Sequence, residues 1–528
     1  MKKSKSLNLF AFIILFSIIL AGCSSESKLY SPETGDGMYI LTPETPLIPQ
    51  INGPNVYGVR PGSPFLYTIP ATGEAPLSYL AKGLPEGLAI DEKSGVISGK
   101  INSTSKEDHI VQLVVKNDKG SAQKALKIKV GDEICLTPPL GWNSWNCWGH
   151  NVTQERVLAS ARAMVDKGLK DYGWTYVNVD DVWQGLRGGE FNGIQGNPET
   201  FPDIKQMCDQ IHDMGLKVGI YSTPWITSYA GYIGSSSNYK DGYWDKTMTN
   251  KDSHSLKIGK YKFEDADAKQ WAAWGIDYLK YDWYVNDLES TKRMGDALKN
   301  SGRDIVYSLS NSCPVHSSKR IGEIANVVRT SGDLKDRWNQ EGSHLNIREQ
   351  WILHKTWMEI GMSGSPSHFP DPDMLVVGHQ SSGHKGAELR MTNLTADEQY
   401  SHISLWSLWS APLLIGAPIE LMDEFTVKLL TNSEVLAIQQ DELATPATSV
   451  LASPGFEIFT KELADGSKAI GLFNLEDLEA VITLDWDVAE LKGEKMLRDV
   501  WRQKDIGKYD GQFSAVVPAH GVLLLRAN

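Results

Sequence analysis

From Leu136 to about Gly416, short apolar runs alternate with amphipathic stretches eight times. No other feature of the chain restricts its fold so tightly. The runs lie near Leu140–Trp145, Tyr176–Asp181, Lys217–Ser222, Tyr278–Asp282, Ile305–Ser310 and Val327–Ser331, with a weak one before Asp371 and the last at Trp409–Gly416. Between them the period changes. After Asn151-Val152-Thr153, the residues Val157, Leu158, Ala161, Met164 and Val165 fall at helical spacing behind polar capping residues. Eight strand–helix units over about 280 residues predict a TIM (β/α)8 barrel. An open doubly wound sheet is the alternative, but no GxGxxG follows an early strand.

A chain of 528 residues exceeds one core, so further domains are expected on both sides of the barrel. Residues 54–130 show short alternating runs, such as Phe65–Ile69 and Ile110–Val115, cut by Gly, Pro and Asn turns. This predicts an all-β domain over 51–132. Its segment Gly83–Ile101 resembles the immunoglobulin-like repeats of bacterial surface proteins. It holds no cluster of acids, histidines or ring-stacking aromatics, so a spacer role is expected rather than sugar binding. The barrel is assigned to 136–440. Alternation returns in Ile470–Asn474, Ala480–Leu484 and Gly521–Leu525, predicting a C-terminal antiparallel β-sandwich over 443–528.

The N-terminus carries Lys2, Lys3 and Lys5, then an apolar run from Leu7 to Leu20, then Leu20-Ala21-Gly22-Cys23 before a polar stretch. This is the pattern of a secretory signal, and the apolar run is short for a membrane span. The Leu-Ala-Gly-Cys segment resembles a bacterial lipobox. It implies removal of residues 1–22, lipidation of Cys23 and a lipid-anchored protein of the bacterial cell envelope. Residues 23–50, rich in Ser, Pro, Thr and Glu, are expected as a flexible tether. Cys135, Cys147, Cys208 and Cys313 match no zinc spacing and are expected as mostly free, buried thiols. A net charge of −13 leaves no basic footprint for nucleic acid.

Acids recur at the ends of the predicted barrel strands: Asp180 and Asp181, Asp282, Asp333, and Asp371 with Asp373. In Trp274–Tyr284 (WGIDYLKYDWY), Tyr278, Lys280 and Asp282 alternate, so one strand face carries a cation and a carboxylate at its exit. Carboxylates gathered on one rim repel each other unless something uses them. Metal binding and glycoside hydrolysis both use such clusters. Lys280 and Arg329 among the acids compete with a metal's charge, which favours sugar chemistry; no metal or cofactor is expected. The long connection from about Thr223 to Glu264 holds Trp225, Tyr229, Tyr232, Tyr239, Tyr243 and Trp244, which suit either sugar stacking or packing of the loop itself.

These residues fall into motifs: Gly141–Trp145 (GWNSW), Tyr176–Trp183 (YVNVDDVW), Gly219-Ile220-Tyr221, Lys280-Tyr281-Asp282, Arg329–Trp338 (RTSGDLKDRW), Asp371–Leu375 (DPDML) and Ser410–Leu413. Together and in this order they resemble glycoside hydrolase family 27, the melibiase-type α-galactosidases. The resemblance implies Asp282 as nucleophile and Asp333 as general acid/base. It implies a sugar pocket lined by Trp145, Asp180, Asp181, Tyr221, Lys280, Ser310, Arg329, Asp373 and Met374, with α-galactosides as substrates. On physical grounds Lys280 should lower the pKa of Asp282, and the charge of Asp282 should hold a proton on Asp333. Two departures stand out. The family's cysteine after the nucleophile is replaced by Trp283-Tyr284, and the third-strand loop holds no partner cysteine. The fifth strand ends Ser308-Leu309-Ser310-Asn311 where α-galactosidases often carry Glu or Cys-Glu-Trp. The small Ser310 resembles the α-N-acetylgalactosaminidases, whose acetamido group needs room. The family also includes β-L-arabinopyranosidases and enzymes acting on α-glucans.

Overall fold

The computed structural model describes residues 29–101, 106–249, 256–311, 313–342, 344–381, 383 and 385–528. The signal segment and Cys23 lie outside them.

Eight parallel strands form the barrel: β1 (Leu140–Asn143), β2 (Tyr176–Asn178), β3 (Lys217–Ser222), β4 (Tyr278–Asp282), β5 (Val306–Ser310), β6 (Val327–Arg329), β7 (Phe369–Asp371) and β8 (Leu413–Ile415). They pair in the order β7-β6-β5-β4-β3-β2-β1-β8. The ring closes beyond β7, where Leu375 bridges Ile415 and its N–H donates to Leu414 O at 2.8 Å. All eight predicted strands are present. Several are shorter than their apolar runs because the last residues leave the ladder to serve the rim. Register puts Tyr221, Lys280 and Ser308 side by side in one layer. One layer below, Asn178 faces Gly219, where a Cβ would lie 2.0 Å from Asn178 Oδ1, so only glycine fits.

Helices cover the barrel as the capping signals predict. Thr153 caps Gln154–Asp166 by accepting from Arg156 N, and Thr395 with Glu398 forms a capping box on Ala396–Leu408. The N-terminal domain has a four-stranded and a three-stranded sheet over a core that includes Phe65, Ile97, Val111, Leu113 and Leu126. The C-terminal domain has a six-stranded antiparallel sheet and a two-stranded one, Ala480–Asp485 with Gln512–Val517.

The N-terminal domain is not a free-standing spacer. It seats against the strand-start end of the barrel. Arg60 Nε meets Asp304 Oδ1 at 2.5 Å, Thr68 Oγ1 donates to Gly215 O at 2.7 Å, and Lys217 donates to the Tyr57 hydroxyl. A cavity of about 100 Å³ remains at this junction, lined by Tyr57, Cys135, Tyr176 and Lys217 among others.

The described part of the expected tether, from Leu29, is a strap rather than a loose linker. Tyr30 bridges Ala515 of the C-terminal domain, and its ring lies 6.1 Å from Phe513. Farther on, Tyr39 donates to Asp397, Leu41 N donates to Tyr400 Oη at 2.9 Å, and Thr42 Oγ1 donates to Lys428 O at 2.9 Å. Gln50–Ile51 then pairs with Ala71–Thr72. Polar composition suggested freedom, but a few well-spaced anchors fix the segment across three domains. The four described cysteines are free thiols, with Cys135 partly and the other three fully buried.

Candidate active site

The strand-exit rim gathers charge from four strands, β2, β4, β6 and β7. At the end of β2, Asp180 Oδ2 accepts from Lys280 Nζ at 2.8 Å and from Asn143 Nδ2 at 2.8 Å. Asp180 N donates to Ser144 Oγ, so the first motif orients the second. Asp181, its neighbour, turns toward the long third-strand loop. It accepts from Val182 N, Gln184 Nε2, Ser228 Oγ and Ala230 N, at 2.8 to 3.0 Å. Val182 has φ +92°, a conformation costly for a β-branched residue, so this turn is held by those bonds. Trp145 begins the short helix after β1, partly exposed, with its ring 5.9 Å from that of His150.

Asp282 ends β4 and is 6% exposed. Its Oδ2 accepts from Tyr221 Oη at 3.0 Å and its Oδ1 from Asn311 Nδ2 at 2.6 Å. Asn311 has φ +63°, the left-handed region that Asn tolerates better than most residues. Arg329, at the end of β6, is buried. It meets Asp373 Oδ1 at 2.9 Å and Asp333 Oδ1 at 3.2 Å, and donates to Ser310 Oγ at 3.3 Å. Asp373 in turn accepts from Leu334 N at 2.8 Å, which fixes the loop one residue beyond Asp333. Met374 is buried beside them, and a small void of about 20 Å³ runs between Lys280, Ser310, Arg329, Asp373 and Met374.

Ionisation departs from the sequence expectation. Burial raises Asp282 to about 6, outweighing Lys280, whose ammonium is already committed to Asp180. Asp333 runs the other way. Partial burial raises it, but Arg329, Lys280 and Lys335 together hold it below the ordinary carboxylate range. Burial is the largest single influence, and the three cations outweigh it only together, with the side chain still 45% exposed on the rim. The free pair is therefore ordered opposite to the prediction. Asp371, buried beneath, is raised to about 6 by desolvation.

The long loop divides its aromatics. Trp225, Tyr232 and Trp244 pack inward, while Tyr229, Tyr239 and Tyr243 are 42–50% exposed. Tyr229 stands edge-on to Trp225 at 5.0 Å, and its phenol is within hydrogen-bond reach of the Asn311 side chain and the Tyr284 backbone. The fields of both Asp282 and Asp333 reach it.

Comparison with known proteins gives this arrangement a family. A family model described as "Alpha galactosidase A" matches residues 137–260 and 247–441, more than half of the chain. The chain is a member of glycoside hydrolase family 27. A model of the α-galactosidase C-terminal β-sandwich domain matches 453–527, and one described as "Putative Ig domain" matches 48–131. The α-galactosidase of Oryza sativa subsp. japonica is 34% identical over 73% of this chain and 83% of its own. α-Galactosidase A of Cellvibrio japonicus is 30% identical over 79% and 96%. A Bacteroides fragilis crystal structure, described as a "putative alpha-galactosidase", aligns with 91% of this chain and 98% of its own at TM-score 0.78 and 33% identity. A family-27 β-L-arabinopyranosidase from Geobacillus stearothermophilus aligns over 74% and 96%, at TM-score 0.64 and 26% identity.

The family-27 member described here is thus a glycoside hydrolase, and the structure brings most of the predicted site residues onto one rim. Asp180, Tyr221, Lys280, Asp282, Ser310, Arg329, Asp333 and Asp373 form one connected set, with Met374 against it. Asp181 belongs to the loop beside that set. Two residues were missed, Asn143 and Asn311, while Tyr229 was named only among the aromatics of the long loop. Asn143 sat inside the quoted GWNSW motif. Asn311 followed Ser310 directly, where the match to the family pattern broke down.

Proposed function

We propose that this enzyme is a retaining exo-α-galactosidase acting on terminal α-D-galactosyl residues of oligosaccharides or polysaccharide side chains. The observation that carries the reading is the division of labour around Asp282. One carboxylate, Asp180, absorbs the ammonium of Lys280, leaving Asp282 with two neutral donors and no direct cation. A carboxylate so placed is anionic above about pH 6 yet weakly solvated, which suits a nucleophile.

In the first step an Asp282 oxygen bonds to the anomeric carbon while the glycosidic C–O bond breaks. Asp333 gives its proton to the departing oxygen. In the second step water attacks the glycosyl ester, Asp333 takes its proton, and Asp282 is released with net retention. Asp333 begins with the depressed pKa of the free enzyme. A sugar filling the rim removes water from its exposed side chain and so favours its protonated form. Asp180 with Lys280 offers an acceptor and a donor to ring hydroxyls, and Arg329 presents a cation beside Ser310.

A second reading rests on Ser310, whose small side chain leaves room near Arg329 for an acetamido group, as in an α-N-acetylgalactosaminidase. A panel of aryl α-galactoside, α-N-acetylgalactosaminide, β-L-arabinopyranoside and α-glucoside separates them. Proton NMR of the first-formed sugar tests the mechanism; a β anomer released from an α-galactoside would overturn retention. We further propose that Cys23 is lipidated and holds the enzyme on the cell envelope. Cys23→Ser should abolish that lipid, as read by intact mass.

A further inference from the structure

The strap decides which side of the molecule faces a membrane. We propose that the C-terminal sandwich, around its two-stranded sheet Ala480–Asp485 and Gln512–Val517, is turned toward the lipid surface, and that the immunoglobulin-like domain points away from it. This rests on the proposal that Cys23 carries the lipid.

By sequence alone the immunoglobulin-like domain stands between the anchor and the barrel. In space it does not. The first described residues of the chain, Leu29 and Tyr30, lie on the sandwich, where Tyr30 N donates to Ser514 O at 2.9 Å and Val516 N donates to Tyr30 O at 2.9 Å. Tyr30 thus bridges the free edge of that two-stranded sheet. Only afterwards does the chain pass Tyr400, Lys428 and Tyr172 to reach the immunoglobulin-like domain at the base of the barrel.

Length makes this binding. Six residue steps separate Cys23 from Leu29, a reach of at most about 22 Å. A compact chain of this size has a radius of gyration of about 24 Å and spans roughly 60 Å. The anchor cannot swing round the body, so the face bearing Leu29 stays nearest to the lipid. That face is partly apolar. Leu29 is 48% exposed, Val481 59% and Leu478 77%, and Val481 lies beside Val516 across the two-stranded sheet. Asp477, Glu479 and Asp485 flank it, so anionic headgroups gain nothing by approaching. The short anchor, not charge, sets the orientation, which therefore persists at high salt and on neutral lipid.

The test uses the full lipidated protein on phosphatidylcholine vesicles that carry a headgroup energy acceptor. A fluorescent amino acid replaces exposed Thr483 in one preparation and exposed Lys93 of the immunoglobulin-like domain in another. Strong transfer is expected from position 483, with most of it lost from position 93. A long glycine–serine insertion after Glu26 should erase the difference. A lipidated protein that transfers equally from both positions, or more from position 93, overturns the orientation. A protein whose mass shows no lipid at Cys23 removes the anchoring proposal itself, and this one with it. Retained hydrolysis by each labelled preparation confirms that it is folded.

Discussion

Asp277 and Asp282 bracket the same strand, and each is 6% exposed, yet their carboxyls ionise very differently. Burial raises both. At Asp277, Arg303, His212 and Lys217 outweigh that burial and bring it to about 2. Its oxygens lie 2.6 Å from Arg303 Nη2, 2.8 Å from His212 Nε2 and 3.0 Å from Val218 N. At Asp282 no cation is free to do the same, and it stands at about 6. The two ends of one strand thus show what burial does to a charge when the protein completes its shell and when it leaves the shell for a substrate. The base of the barrel is made for stability and the rim for reaction.

The sharpest way to break this contrast is Asp282→Asn. If Asp282 is the nucleophile, as proposed, this should lower kcat by more than about 10³-fold on every substrate. The same change should stabilise the protein. A carboxyl raised from 3.8 to about 6 weakens the folded state progressively as pH rises through that interval, by up to about 3 kcal/mol above it. Urea melts at pH 5 and pH 7.5 should show the variant gaining most at the higher pH. A variant that loses stability at both would place Asp282 with Asp277.

Asp277→Asn should do the reverse. Leaving Arg303 buried without its carboxylate should destabilise by about 3–5 kcal/mol. Activity per folded molecule should be nearly unchanged. A depressed carboxyl contributes stability that is complete above 3.8 and lost as pH falls toward 2, about 2 kcal/mol here. Acid unfolding of wild type below pH 4, compared with the variant, reads that loss.

In the proposed mechanism Asp282 and Asp333 must hold one proton between them, so kcat/KM should decline tenfold per unit once pH exceeds about 6. On the acid side it should decline only below the ordinary carboxylate range, because Asp333 is held low. A flat profile from pH 5 to 8 would refute this ordering. The smallest effect is expected at Asn311, whose Nδ2 lies 2.6 Å from Asp282. Asn311→Ala removes a donor to an anion, worth about 1.5–3 kcal/mol. It should cut kcat/KM by roughly ten- to a hundredfold at pH 5 and move the alkaline limb upward. A loss equal at every pH would assign Asn311 to packing instead.

The barrel was legible because strand periodicity and rim acids recur together, from Tyr176–Asp181 to Phe369–Asp371. Its chemistry was legible through short motifs whose members share a strand end. What escaped depends on contacts between distant segments. Lys280 looked like the partner of Asp282, two residues away. The structure commits it to Asp180, a hundred residues earlier, and the expected pKa order falls with that contact. Asn311 follows β5 and reaches Asp282 of β4 only once the barrel closes. The strap was misread for a related reason. Composition averages over a segment, whereas Tyr30, Tyr39 and Leu41 hold it at a few points.

The loop bearing Asp333 also has a second owner. Five residues beyond Asp333, Trp338 stacks at 4.9 Å on His520 of the sandwich, which Glu398 and Asp477 grip on either side. Arg390 holds Asp336 of the same loop through two bonds. Domain shuffling therefore meets unequal resistance along this chain. Modules at the base can be gained or lost while Asp333 keeps its seat. A recombination joint between barrel and sandwich would sever that seat.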